Sequence, residues 1–383
     1  MSLNNVYITR TGVCLPNKPI ENDQIESILG MVGGKPSRTK NMILRNNGIK
    51  KRYYVLDPKT HEPVFTNAQL TAEAVRNLFS SPSKMNEIDC LVSGTSMADQ
   101  MIPNHAVMVH GELGIPPCEV IATSGVCLSS ITALKYAYLA VKSGEHKKVV
   151  ATGSEAASVL LRSGNYEEEF RYNAEDLKRN PIIAFEKDFL RWMLSDGAGA
   201  FLLESEPLSK EISLKINWLE IISYANEMET CMYAAAVKDD NGELKGWARY
   251  KGYELLEKSV FSIKQDVKLL NEQIINYTVT RALTEIKRRT GLRVEQVDHF
   301  LPHVSSLYFY NKVHDALCEM DFAIPQEKWF TNLTTKGNTG SAALYIMLDE
   351  LLKNGSVNSG ETILCYIPES GRFSSAFLLL TAE

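Results

Sequence analysis

Along most of the chain, short apolar runs alternate with stretches of helical period, the pattern of an α/β protein. The best-defined unit spans residues 121–155. Cys127 follows a small-residue turn, Thr123-Ser124-Gly125, and an apolar stripe at Ile131, Leu134, Tyr138 and Val141 predicts a buried helix that Gly144 ends. Val149-Val150-Ala151 then reads as a buried strand running to Gly153-Ser154-Glu155. Upstream, Val6–Thr9 reads as a strand with its turn at Gly12–Pro16, and an amphipathic helix starts at Asn67 or Thr71 and runs to Leu78. Ile88–Val92 is a strand ending in Ser93-Gly94-Thr95-Ser96, and 104–113 a short helix. The polar, acidic stretch 162–190 reads as a helical insertion, and Leu194-Ser195-Asp196-Gly197-Ala198-Gly199-Ala200 leads into a strand at Phe201–Leu203. Further on, 214–224 reads as a strand, 225–258 as irregular chain and 260–290 as helix.

The second half echoes the first. Glu87-Ile-Asp89 before Cys-Leu-Val matches Gln296-Val-Asp298 before His-Phe-Leu, an offset of 209 residues. Ala133-Leu134 with Lys142-Ser-Gly144 matches Ala343-Leu344 with Lys353-Asn-Gly355, and Val149–Glu155 matches Ile363–Glu369. The echo makes Cys127 and Asn338 equivalent, each leading into a buried helix, and sets His303 in the loop equivalent to Gly94. Loops at the carboxyl ends of strands are where α/β proteins carry chemistry, so these three residues are predicted to meet near a pseudo-twofold axis.

Composition narrows the function. A net charge of −5 without a long basic run argues against a nucleic-acid partner. The start lacks a signal peptide's apolar core, and no stretch has the length of a membrane span. Seven scattered cysteines without a CxxC pair argue against a disulfide framework or a zinc site, so the expectation is a cytoplasmic protein with reduced thiols and no metal or cofactor. The GxGxxG and Walker A spacings are both absent, which excludes the common glycine-rich phosphate loops. Cys127 before a helix fits a thiolate nucleophile favoured by orphan N–H groups and the helix dipole; a buried structural cysteine is the alternative. By themselves His303 can be a satisfied loop histidine and Asn338 a helix cap.

Taken together, SGVCLSSITAL around Cys127, LSDGAGAFLL at 194–203, FLPHVSSLYF around His303, KGNTGSAALYIMLDELL at 336–352, GIKKRYY at 48–54 and SGRFSSAF at 370–377 resemble the thiolase-like type III ketoacyl synthases, in the family's order. The resemblance implies a five-layered αβαβα fold of two similar halves, here 1–205 and 206–383, usually as a homodimer. It implies Cys127 as the acyl-accepting nucleophile, His303 and Asn338 as the pair that binds the second thioester, and Gly371 as the partner of the Cys127 N–H in an oxyanion hole. Ser370-Gly371-Arg372 replaces the family's usual triple glycine, which puts Arg372 near the substrate channel.

The stretch GKPSRTKNMILRNNGIKKRYY at 34–54 is most similar to the ketosynthase/cyclase branch that makes dialkylresorcinol and stilbene precursors. That branch joins two acyl thioesters, at least one of them β-ketoacyl, and closes a cyclohexanedione ring. Glu155 is then the candidate base for ring closure, with a structural glutamate as the alternative. Acyl carrier protein or coenzyme A would deliver the substrates, with Arg45, Lys50, Lys51 and Arg52 as a positive rim and 225–275 as part of the channel wall. Lys287-Arg288-Arg289 is a second basic cluster, read more simply as a solvated helix face. Decarboxylative condensation with a malonyl thioester and plain acyl transfer are the alternatives on the same fold; an inactive partner subunit is disfavoured because Cys127 is present.

Overall fold

The structure is a computed structural model that describes residues 3–168, 171, 188–239 and 241–383. Nine strands form its main sheet: β1 (Tyr7–Cys14), β2 (Cys90–Thr95), β3 (Glu119–Ser124), β4 (Val149–Glu155), β5 (Gly197–Glu204), β6 (Leu214–Ser223), β7 (His299–Pro302), β8 (Thr362–Glu369) and β9 (Ser374–Ala382). Their order is β7-β8-β9-β6-β1-β5-β4-β2-β3. β1 and β6 pair over only Tyr7–Lys215 and Ile8–Leu214, and this short seam joins two similar half-sheets. In one half β2 runs parallel to β4, which is antiparallel to β5, itself antiparallel to β1. In the other, β7, β8, β9 and β6 repeat those relations.

Side-chain alternation divides this sheet into two packed layers. Helices α1 (Asn67–Arg76) and α2 (His105–Leu113) cover one outer face, where Leu70 and Val75 pack with Val150, Ala198, Ala200 and Leu202. The intervening Phe201, Leu203, Val149 and Ala151 point the other way, into a central cluster with α3 (Ser129–Ser143) and a second central helix, Ala343–Lys353. Ile363, Cys365, Ile367, Ala376, Leu378 and Leu380 of β8 and β9 close that cluster from the opposite side. Their neighbours Leu364, Tyr366, Phe377 and Leu379 face a third cluster with Val279, Leu283 and Ile286. The result is the expected αβαβα layering, with α4 (Val267–Ile275), α5 (Ala282–Thr290) and α6 (Tyr310–Glu319) on the second outer face and α7 (Ala343–Lys353) paired with α3 in the middle. A π-helical segment, Asn276–Arg281, links α4 to α5.

Close approach at the centre explains the small residues of the LSDGAGA run. A Cβ at Gly199 would lie 2.3 Å from Tyr345 Cβ, so only glycine lets β5 meet α7. β1 continues through Gly12 to Cys14, where a turn was expected, because it pairs with β5 to its end. The insertion expected over 162–190 lies largely outside the described residues; a 3₁₀ turn at Ser163–Tyr166 marks its start. No described helix is long and apolar enough to cross a membrane.

Candidate active site

Cys127 and His303 follow strand ends, and Asn338 lies between the short helix Leu333–Lys336 and the 3₁₀ turn Gly340–Ala342 that leads into the second central helix. Cys127 stands between the end of β3 and α3. Ser129 N–H and Oγ both bond the Val126 carbonyl (3.2 and 2.9 Å), which tightens the turn that carries it. His303 follows β7, its N–H bonded to the Tyr366 carbonyl at 2.8 Å. The backbone of Asn338 is bracketed by the LSDGAGA stretch: its N–H donates to Met193 O (3.1 Å) and its carbonyl accepts from Ser195 N–H (2.9 Å).

Two cavities meet at Cys127. One is lined by Cys127, Glu155, Asn338 and Gly340, with Met232, Ile263, Gln265 and Leu270 as an apolar-to-polar wall. The other is lined by Cys127, His303, Ile274, Ile275 and Phe309. Leu270, Ser305 and Ser370 are common to both. The 225–275 segment thus supplies part of the wall, as expected. A third cavity, beside helix Lys40–Asn47, shares Phe189 with the first and Phe309 with the second.

The electrostatics of Cys127 differ from the expectation. A thiolate at a helix N-terminus was anticipated, yet burial raises the thiol's pKa, and the carboxylates of Glu369 and Glu155 raise it further. The helix begins two residues later, at Ser129, and the N–H groups flanking Cys127 serve another anion: Glu369 Oε2 accepts from Val126 (3.0 Å) and Leu128 (2.9 Å). Burial pushes the His303 imidazole down to about 4, so it is neutral at pH 7. Its Nε2 is buried and has no hydrogen-bond partner among the described residues. Asn338 Oδ1 accepts from Gly340 N–H at 3.1 Å, a turn bond two residues on rather than a helix cap, since Thr339 and Ala342 are the cap residues that follow, and no described residue accepts from its Nδ2. A neutral imidazole and a carboxamide are therefore both available to a ligand oxygen.

Glu155, at the end of β4, is buried, and burial raises its pKa against the hydrogen bonds it accepts. Ser96 N–H (3.3 Å) and Ser341 N–H (3.2 Å) both donate to Oε1, and Ser96 Oγ–H donates to Oε2 (2.5 Å). Gly340, at φ +52°, faces Glu155 closely: a Cβ there would lie 2.9 Å from Glu155 Cγ. Gly371 packs on the nucleophile turn: a Cβ there would meet Val126 Cγ2 at 3.0 Å.

The basic residues divide. Arg45 and Lys50 are exposed. Arg52 is not part of a rim: the strand Lys51–Arg52 turns it inward, where it is fully buried and donates to Trp192 O and Asn22 Oδ1, both at 2.6 Å. Arg372 points outward and donates to Met228 O (2.7 Å), away from both cavities. Arg288 and Arg289 pair with Glu285 on the surface, the solvated helix face expected of that cluster. At the opposite end of the strands from Cys127, ligand atoms of Cys90, Glu119 and His146 lie within 4.8 Å of one another. Hydrogen bonds to Glu119 from His146 (2.5 Å) and Tyr136 (3.0 Å) hold that group together.

Comparison with known proteins places this architecture. Residues 288–371, which carry His303 and Asn338, match the family model for the C-terminal region of 3-oxoacyl-[acyl-carrier-protein] synthase III. The β-ketoacyl-[acyl-carrier-protein] synthase III 2 of Bacillus anthracis is 24% identical over 371 residues, covering 94% of this chain and 93% of the relative. Over nearly its whole length the chain is similar to the type III ketoacyl synthases of the thiolase-like superfamily. Its fold is shared with synthase III (FabH) of Pseudomonas aeruginosa PAO1, at a TM-score of 0.71 and 17% identity over 98% of both chains. It is shared equally with OleA of Xanthomonas campestris, whose structure holds lauric acid and lauroyl-CoA, at a TM-score of 0.71 and 19% identity over 98% of this chain and 99% of that one. That similarity marks the chain as an acyltransferase of the β-ketoacyl synthase type, which forms carbon–carbon bonds.

Sequence reading missed Glu369 as a site residue. Its signal was present, since Val149–Glu155 and Ile363–Glu369 echo one another and both end in glutamate.

Proposed function

We propose that this synthase is a ketosynthase/cyclase. Cys127 attacks an acyl thioester, the carrier thiol leaves, and the acyl group stays on sulfur. A β-ketoacyl thioester then binds with its carbonyl oxygen on His303 Nε2 and Asn338 Nδ2. Solvent takes the α-proton that the two flanking carbonyls acidify, and both donors are neutral, so they stabilise the enolate oxygen without protonating its carbon. The carbanion attacks the Cys127-bound acyl group, forming the carbon–carbon bond and releasing the cysteine thiolate. A second deprotonation, by Glu155, at a carbon of the transferred acyl chain placed to form a six-membered ring lets that carbon attack the remaining thioester carbonyl, expel the carrier thiol and close a cyclohexanedione. The N–H groups of Cys127 and Gly371 form the oxyanion hole of the acylation step.

The observation that carries the cyclase reading is the position of Glu155. It is a buried carboxyl with a raised pKa, on the wall of the cavity that also holds Cys127 and Asn338. Decarboxylative condensation, which makes its carbanion by losing carbon dioxide, needs no such base. Two cavities meeting at one nucleophile also give two acyl tails separate room. The substrates arrive on acyl carrier protein or coenzyme A, through the third cavity, with Arg45 and Lys50 as the cationic rim. A homodimer is part of the same proposal: edge strand β3 is half-exposed along its length and ends at the Cys127 turn, and Ile102 stands 86% exposed. Decarboxylative condensation with a malonyl thioester is the second reading, favoured by the names of the sequence relatives.

Intact-protein mass spectrometry with a panel of acyl thioesters, followed by a β-ketoacyl partner, tests the proposal. The expected result is an acyl adduct on wild type, absent from Cys127→Ala, that is released as a cyclohexanedione. Release only by malonyl thioester, as a linear product, overturns the cyclase reading in favour of the second.

A further inference from the structure

Glu369 and Glu155 are related by the internal repeat, and each reaches across the junction to the other half. Glu155, ending β4 of the first half, accepts from Ser341 N–H just after Asn338. Glu369, ending β8 of the second half, accepts from Val126 and Leu128 N–H on either side of Cys127. The two contacts are the same device applied to the two equivalent loops. Glu155 lines a cavity and Glu369 does not, although its neighbour Ser370 lines both.

We propose that Glu369 is a positioning residue for the nucleophile: its carboxylate clamps the turn around Cys127 and places a negative charge beside the thiol. The inference rests on the reading of Cys127 as nucleophile. Clamping the Val126 and Leu128 N–H groups fixes the 125–126 and 127–128 peptide planes and leaves the Cys127 N–H outside the clamp, where an acyl oxygen can take it. Gly371 completes the fit, since a Cβ there would stand 3.3 Å from Glu369 Oε1. Burial raises the pKa of the Glu369 carboxyl, and the two N–H bonds it accepts oppose that rise and favour the charged form. The charged groups facing Cys127 are Glu369 and, behind it in effect, Glu155. The third titratable neighbour across the cavity, His303, is neutral at pH 7. The resting site therefore keeps the sulfur protonated and unreactive toward small electrophiles, and an acyl thioester must displace that balance through the oxyanion contacts.

The test uses the full chain and two variants. Glu369→Gln keeps an oxygen that accepts both N–H groups and removes the charge; Glu369→Ala removes the clamp as well. Iodoacetamide labelling of the Cys127 peptide is followed by mass spectrometry across pH, with thermal melts to confirm folding. In Glu369→Gln the labelling midpoint should move to lower pH by about one unit, with acyl loading within a few-fold of wild type. In Glu369→Ala the midpoint should also fall, and loading from an acyl thioester should slow by tenfold or more. An unchanged midpoint in Glu369→Gln refutes the charge effect, and wild-type loading in Glu369→Ala refutes the clamp. A purely structural glutamate would lower the melting temperature and leave the midpoint in place. If wild type loads no acyl thioester, the proposed function fails, while the labelling midpoint still decides the role of Glu369.

Discussion

Glu155→Gln separates ring closure from everything that precedes it, because the pocket accepts glutamine almost unchanged. Both backbone donors, Ser96 N–H and Ser341 N–H, point at Oε1, and only Ser96 Oγ–H points at Oε2. A carboxamide oxygen placed at Oε1 keeps the two N–H bonds. Its NH₂ then faces Ser96 Oγ, which turns its hydroxyl and accepts. Three charge-assisted bonds become neutral, and removing a buried charge offsets much of that, which leaves a net loss of about 1 kcal/mol. For a chain of this size that is a shift of roughly 1 °C in Tm. The chemical effect is far larger, since a positioned general base is worth about 10²–10⁴ in rate. Cys127 is loaded with an acyl thioester, a β-ketoacyl thioester is added, and products are resolved by mass-detected chromatography. The adduct should form normally and an open-chain condensation product should accumulate, while ring formation slows by about 10²–10⁴. Because the raised pKa makes Glu155 a base only above it, wild-type ring closure should fall as pH is lowered, with no such limb in the variant. Ring product at the wild-type rate in a folded Glu155→Gln protein would sink the assignment, leaving Glu155 as the scaffold of the Ser341 turn.

Further outcomes follow from the same geometry. His303→Ala should keep the acyl adduct and lose condensation by about 10² or more, measured as adduct persistence after the second substrate is added. The same variant bears on pH: with its folded pKa near 4, below an unfolded value of about 6.5, His303 contributes stability above pH 6.5 that is lost as pH falls toward 4. Denaturant melts across that window should show His303→Ala less acid-sensitive by up to about 3 kcal/mol, and an unchanged slope would contradict a neutral buried imidazole. Asn338→Asp keeps an oxygen for Gly340 N–H but lacks the Nδ2 donor, so it should fold like wild type and fail to condense; Asn338→Ala should fail in both respects, with loss of the turn bond costing about 1 kcal/mol in thermal melts. Gly199→Ala puts a carbon 2.3 Å from Tyr345 Cβ and should cost about 1–3 kcal/mol or more by chemical denaturation, whereas Gly246→Ala, with open space around it, should be neutral within about 0.5 kcal/mol.

What the residue pattern could reveal depended on how local its cause is. The helix after Cys127 and its stop at Gly144 were legible because an apolar stripe and a left-handed glycine, at φ +79°, are both local demands. The run Leu194–Ala200 was legible as a place of close approach, though not that Tyr345 is what approaches Gly199. Arg52 misled for the converse reason: beside Lys50 and Lys51 it looks like one of a surface series, yet the alternation of a strand turns every second side chain inward. The charge around Cys127 was illegible from its own neighbourhood, because the carboxylates that oppose a thiolate stand at positions 155 and 369 in sequence. Only the internal repeat bridges that distance. If two halves fold alike and face each other across an axis, a residue ending the central strand of one must meet the helix start of the other, and so must its counterpart. Finding Glu155 beside the Asn338 loop therefore requires Glu369 beside the Cys127 turn. The repeat converts a likeness along the chain into a contact across the fold, and it carries the placement of the second carboxylate that no local pattern could supply.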